Sequence, residues 1–221
     1  MQVAETGYQV VQERFSSREC SELVETVSAV SRSRAGARHL MANPAVAAVA
    51  NDKRLIDLAR LWVGDSAVAF RATLFEKSAE TNWLIPWHQD TALPLVQKFD
   101  FAGWGPWSQK AGVNYAHAPA SALTRVIALR LHLDQSTQDN GPLRVVPGSH
   151  RSGVLSDESV RESVSASGFV NCCVAQGGVI AMRPLIVHSS SKAKNGKFRR
   201  VLHIEYAHSI QIADGISLAV V

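Results

Sequence analysis

The chain has 221 residues, 46% hydrophobic and 19% charged, which supports a folded core and excludes disorder and collagen-like repeats. That length suits one domain over residues 1–221, and three cysteines (Cys20, Cys172, Cys173) are too few for a disulfide framework and read as buried small hydrophobes. A net charge of +4 falls short of a nucleic-acid footprint, and no run approaches the roughly 20 apolar residues that span a bilayer. The start, MQVAETGYQVVQERF, has no signal-like apolar stretch, so the expectation is a cytoplasmic protein with neither nucleic acid nor membrane as partner.

Residues 1–64 read as a helical bracing region. Ser16 followed by Glu19 forms a capping-box pattern ahead of Leu23, Val24, Val27 and Val30, and Asn43-Pro44 pairs an N-cap with proline at the first helical position. A third helix is expected from Asp52 to Val63, stopped by Gly64.

From there the texture changes to short β-branched and aromatic segments, and residues 65–210 read as a sheet-built core. Strands are expected at roughly 67–77, 84–90, 125–134, 142–147, 169–174, 178–183, 185–190 and 198–207, with turns at Asp139-Asn140-Gly141, Pro147-Gly148 and Gly177-Gly178. Eight short strands without alternating helices predict a jelly roll or a barrel. Residues 91–124 read as a long connection forming a lid or pocket wall, its Trp104, Trp107, Tyr115 and His117 joining Trp83 and Trp87 around an apolar cavity.

His88-Gln89-Asp90 is the most informative pattern, because residues two apart on a strand share a face and can grip one ion. A second histidine from a distant strand, with His188 the candidate, would complete a 2-His-1-carboxylate facial triad with three positions open. The pattern is weak alone, since His132-Leu133-Asp134 repeats it.

The wider pattern separates the two. Leu74-Phe75-Glu76-Lys77, Pro86-Trp87-His88-Gln89-Asp90, Asp139-Asn140-Gly141-Pro142-Leu143 through Val146-Pro147-Gly148-Ser149-His150, and His188 to Tyr206 together resemble the phytanoyl-CoA dioxygenase family over roughly residues 66–207. The resemblance implies a double-stranded β-helix, the cupin-like jelly roll, mainly β with N-terminal helices, and an iron(II)- and 2-oxoglutarate-dependent dioxygenase using O2. It implies His88, Asp90 and His188 as iron ligands and Arg199, eleven residues beyond His188, as the 2-oxoglutarate anchor. His132 and Asp134 fall where the family places no ligands and are assigned to structure or the pocket wall.

A planar guanidinium suits the far carboxylate of such a cosubstrate, and Arg200, of opposite strand parity, should face away. By the same resemblance Ser190, Lys77 and Gln89 are cosubstrate contacts, while Arg130 stands where related proteins often carry an aromatic. The resemblance also implies hydroxylation over halogenation, since related halogenases lack the carboxylate that this chain keeps at Asp90. The basic run Lys192, Lys194, Lys197, Arg199 and Arg200 reads as a solvated turn before it reads as a phosphate site. Two other readings stay open: an iron-dependent cupin that makes no use of 2-oxoglutarate, and a non-catalytic metal-binding jelly roll. Substrate identity and oligomeric state are not readable from these residues.

Overall fold

The computed structural model describes residues 2–28, 30 and 36–221. It begins with helix α1 (Gln2–Thr6) and strand β1 (Tyr8–Val11), a strand inside the stretch whose local pattern predicts helix. Helix α2 (Ser17–Ser28) starts at the predicted capping box, where Ser16 N donates to Glu19 Oε2 at 2.8 Å and Glu19 N to Ser16 Oγ at 3.3 Å. After the two-residue strand β2 (Gly36–Ala37), α3 (Pro44–Ala50) is capped by Asn43, whose side chain accepts from Ala45 and Val46. Helix α4 (Lys53–Val63) ends at Gly64, with φ +90°.

The strands that follow are β3 (Val68–Lys77), β4 (Ile85–His88), β5 (Ala92–Leu95), β6 (Trp107–Lys110) and β7 (Val113–His117). A single helical turn, α5 (Ala120–Leu123), leads to β8 (Val126–His132) and β9 (Leu143–Val145). After helix α6 (Asp157–Ser167) come β10 (Val170–Cys172), β11 (Val179–Met182), β12 (His188–Ser190) and β13 (Arg199–Ala207), and a hairpin of β14 (Gln211–Ala213) and β15 (Ile216–Ser217) closes the described chain.

All eight predicted strands are present and build two facing sheets, of order β1-β11-β8-β13-β3-β2 and β10-β9-β12-β4. This is the double-stranded β-helix jelly roll. Strand parity splits the larger sheet into two chemistries. Leu74, Leu129, Leu131, Leu202, Ile204 and Tyr206 face outward into one apolar cluster with Leu23, Val27, Val46, Leu55 and Leu58 of the helices. Each such side chain, nearly free of solvent, contributes about 1.5–3 kcal/mol of burial. The alternate residues Thr73, Lys77, Arg130, His132, Arg199, His203 and Glu205 are also buried, facing the smaller sheet, with Arg71 partly buried beside them.

Residues 91–124 are not an unstructured connection. They contain a three-stranded antiparallel sheet, β5-β7-β6, seated on Phe70, Leu123, Ile212, Ile216 and Leu218. The four-residue strands alternate poorly and carry glycine and proline between them, which hides them from a pattern reading. Of the three cysteines Cys20 and Cys172 are buried as expected and Cys173 is exposed. Among the described residues no helix is long and apolar enough to cross a membrane.

Candidate active site

His88 closes β4 and His188 opens β12, and the antiparallel register sets the two directly opposite each other. Their rings lie 4.2 Å apart between centroids. Asp90, held by its backbone N–H on Pro184 O at 2.9 Å, brings its carboxylate to 3.7 Å from His88 Nε2 and 3.4 Å from His188 Nε2. Among the described residues these three form the one cluster with metal-ligand spacing, their ligand atoms all within 4.8 Å.

The protonation pattern suits a metal. Each imidazole sets Nδ1 2.9 Å from a carbonyl two residues upstream, Pro86 for His88 and Ile186 for His188, so Nδ1–H donates and the Nε2 lone pair faces the cluster. Burial pushes His188 down to about 4, leaving it neutral at physiological pH. Burial works against the Asp90 charge, yet His188 and His88 hold its carboxyl well below the usual range. Burial opposes the charged form of His88, but the hydrogen bond and attraction of Asp90 raise it above its ordinary value. Two imidazoles that turn Nε2 inward and one carboxylate on one side of a point are the donor set of a facial iron(II) site. The residues present fit that ion.

The second His-x-Asp does not converge. His132 is fully buried with Nδ1 on Arg130 O at 3.0 Å, while Asp134 pairs with Arg200 through Nε at 2.7 Å and Nη2 at 2.8 Å. Arg200 thus faces away from the pocket, as its parity predicts. Gln89 corrects an expectation. Its amide gives Nε2–H to the Gly153 and Leu185 carbonyls at 2.9 and 2.7 Å and accepts from Leu155 N at 2.8 Å, so it tethers a loop instead of facing the pocket.

Lys77, Ser190 and Arg199 do meet. Ser190 Oγ accepts from Lys77 Nζ at 2.8 Å and from Arg199 Nη2 at 3.3 Å and donates to Gly141 O at 2.8 Å. Lys77 also bonds Ser191 O. Gly141, with φ +71°, is required there because a Cβ would sit 2.3 Å from Ser191 O and 3.1 Å from Lys77 Nζ. Arg199 is 2% exposed, and its Nε and Nη1 have no partner among the described residues. Burial, with Arg130 nearby, lowers Arg199 to about 9, and burial with Arg199, Arg130 and Arg144 lowers Lys77 to about 7. Such a nest of unpaired buried cations calls for an anion.

A cavity of about 140 Å³ opens beside Asp90, bounded by Arg38, Arg71, Lys110, Tyr115 and His203. Arg71 forms a two-point ion pair with Glu205, and His203 bridges Arg130 Nη1 at 3.0 Å to Glu205 Oε1 at 3.4 Å. Among the described residues the lining of this cavity is thus mainly charged and polar, unlike the apolar cage expected. Trp104 and Trp107 pack edge-on against Phe99, Trp87 and Trp83 make tilted contacts with Phe169 and Phe75, and His117 bonds Thr91 Oγ1; of the predicted aromatics Tyr115 alone bounds this cavity. Arg71 shares a strand face with Lys77 by parity, whereas Arg38 and Lys110 come from distant segments that carry no local signal.

The sequence matches the phytanoyl-CoA dioxygenase (PhyH) family over residues 3–201. The chain belongs to the phytanoyl-CoA dioxygenase family. It is 26% identical over 178 residues to the L-proline trans-4-hydroxylase of Streptomyces griseoviridis, covering 69% of this chain and 59% of that protein. It is 25% identical over 171 residues to the ectoine dioxygenase of Sphingopyxis alaskensis, covering 67% of this chain and 49% of that one. The chain thus spans about half the length of these curated relatives. The crystal structure of apo EctD from S. alaskensis superposes with a TM-score of 0.71 at 22% identity, over 93% of this chain and 74% of that one. EctD is also known with 2-oxoglutarate and 5-hydroxyectoine, at TM-score 0.69, 21% identity, and coverage of 93% and 73%.

Within the phytanoyl-CoA dioxygenase family pattern, Arg130 remains this chain's departure. Its guanidinium is buried 5.2 Å from the Phe75 ring centroid and shares His203 with Glu205, so the strand position expected to be aromatic is joined to a polar network.

Proposed function

We propose that the protein is an iron(II)- and 2-oxoglutarate-dependent dioxygenase that hydroxylates a C–H bond of a small organic substrate. The carrying observation is the buried Arg199 guanidinium, with two nitrogens unpartnered, on the same side of the smaller sheet as the His-Asp-His cluster. His188 and Ser190 lie two residues apart on β12, about 7 Å along a strand, which matches the span of a five-carbon dicarboxylate between a metal and an anchor.

In this reading His88 Nε2, Asp90 and His188 Nε2 hold iron(II), and Pro86 and Ile186 keep both rings in the tautomer that can bind it. Arg199 takes the far carboxylate through two parallel N–H bonds, with the Ser190 hydroxyl and Lys77 beside it. Iron(II) with 2-oxoglutarate and O2 supplies the oxidation, releasing succinate and carbon dioxide as one oxygen atom enters the substrate. The chain's own task is to orient the C–H bond and exclude water. Residues 1–221 act as one domain, with 1–64 bracing the outer face and 91–124 walling the pocket. The names of the two curated relatives support a small substrate.

A metal-only cupin has no use for an unpaired buried arginine. Anaerobic addition of iron(II) and then 2-oxoglutarate should produce the visible charge-transfer band of a chelated 2-oxo acid. Arg199→Ala should weaken 2-oxoglutarate binding by roughly 10- to 100-fold while iron still binds. Iron binding without any band in the unaltered protein would overturn the assignment.

A further inference from the structure

The cavity beside Asp90 holds more positive charge than the proposed chemistry consumes. Its cations are Arg38, Arg71 and Lys110. Arg71 is neutralised by Glu205, which is 2% exposed. Neither Arg38 nor Lys110 has an acidic partner among the described residues. The acid that lines the cavity, Asp90, belongs to the proposed metal site, so its charge is already matched.

The two cations reach the cavity from different segments, Lys110 against an aromatic ring and Arg38 from the exposed side. Lys110 ends β6 and sets Nζ 4.7 Å from the Tyr115 ring centroid. The Tyr115 hydroxyl lies 2.8 Å from Nε2 of His39, the residue after Arg38, and His39 takes a left-handed φ of 60° in doing so. Tyr115 thereby links the strand carrying Lys110 to the segment carrying Arg38. Burial, with Arg71 and Arg38 nearby, lowers the Lys110 pKa, the mark of an ammonium held among like charges. Concave sites with unmatched charge of one sign concentrate the opposite ion.

We infer that the substrate is a small organic anion whose carboxylate or phosphate group is taken by Arg38 and Lys110, leaving the rest of the molecule to project toward the Asp90 side of the cavity. The inference rests on the proposed function and deepens it. The anionic group enters from the side walled by the β5-β7-β6 sheet, while Arg199, paired with Lys77 at the end of β3, does not line this cavity and serves the cosubstrate. The exposed Lys192, Lys194 and Lys197 do not line the cavity and take no part.

The test uses the whole protein loaded anaerobically with iron(II) and saturating 2-oxoglutarate. Monocarboxylic and amino acids of four to eight carbons, their primary amides, and alkyl phosphates of the same size are added, and the change in the visible band reports occupation beside the metal. Acids, phosphates or both should perturb the band and the amides should not; whichever anion acts identifies the headgroup. Arg38→Gln and Lys110→Gln should each raise the dissociation constant of the best anion by roughly tenfold or more, with the affinity for 2-oxoglutarate unchanged. Arg38→Lys should restore most of the loss, and Lys192→Gln with Lys194→Gln should have no effect. Amides matching their acids, silence from every anion, or indifference of both cavity variants overturns the inference and leaves the band intact. Failure of the band to form at all is a different result, which removes the proposed function and this inference with it.

Discussion

The same three-residue pattern occurs twice in this chain with opposite outcomes. His88 and Asp90 converge with His188, whereas His132 is sealed in the barrel wall and Asp134 turns to Arg200. Their neighbours make the difference. The cross-strand partner of His88 is another histidine; that of His132 on β13 is Val201. On the inner face His132 also sits in the field of Arg130 and Arg199, which with burial drives it down to about 3 and would repel a cation. Strand pairing delivers a third donor to the His-x-Asp at 88–90 and an apolar valine to the one at 132–134.

The sharpest way to break the comparison is to remove one carboxylate from each motif. Asp90→Ala should weaken iron(II) binding by about 100-fold or more, read by anaerobic titration, because it deletes the charged ligand. Asp134→Ala should leave iron affinity within about twofold. Equal losses in the two variants would mean that the motifs are not distinguished as described.

A middle-sized effect probes the cationic side of the interior. Burial and the neighbouring arginines hold Lys77 at about 7, below its value of about 10.4 in an unfolded chain. Between these values the unfolded state binds the extra proton, so the apo protein should gain stability as pH rises from about 7 to about 10. Cosubstrate binding runs the other way. A dianion favours charged Lys77, so above about pH 7 its binding takes up a proton and its affinity falls by up to tenfold per pH unit. Calorimetry in buffers of different ionisation enthalpy measures that uptake, and Lys77→Met should abolish it. Affinity that stays flat to about pH 9 in the unaltered protein contradicts the placement of Lys77 against the anion.

The smallest effect concerns stability alone. Asp134 and Arg200 are each about one-fifth exposed, and Asp134 also accepts from Arg200 N at 2.9 Å. Asp134→Ala should cost roughly 1–3 kcal/mol in denaturant unfolding, by stranding a half-buried guanidinium and an amide. A loss below about 0.5 kcal/mol would mark this as an ordinary surface pair.

Much of the fold was legible because its signals are local. Ser16, Glu19 and Asn43 announce helix starts through bonds that span three residues, and the eight jelly-roll strands follow from β-branched runs between turn residues. Strand β1 was not legible, because Tyr8–Val11 lies within a region dominated by helix signals and becomes a strand by pairing with β11. The β5-β7-β6 sheet was hidden for a related reason: its apolar residues are satisfied by the C-terminal hairpin, nearly a hundred residues away or more. Gln89 shows the limit of carrying a role by position, since its neighbours on the loop at 153–155 decided where its amide points.

By itself the sequence determined which residues had the chemistry for the candidate site and its cosubstrate pocket: His88, Asp90, His188, Ser190, Arg199 and Lys77 stand out by spacing, residue type and family resemblance. Only the tertiary structure decided that His188 lies opposite His88, that Arg199 is buried with two of its nitrogens unpartnered among the described residues, and that Arg38 and Lys110 share a cavity with Asp90. The physical reason is that periodicity and capping are written in bonds between near neighbours. Register across sheets and the burial of charge are settled by which distant segments pack together.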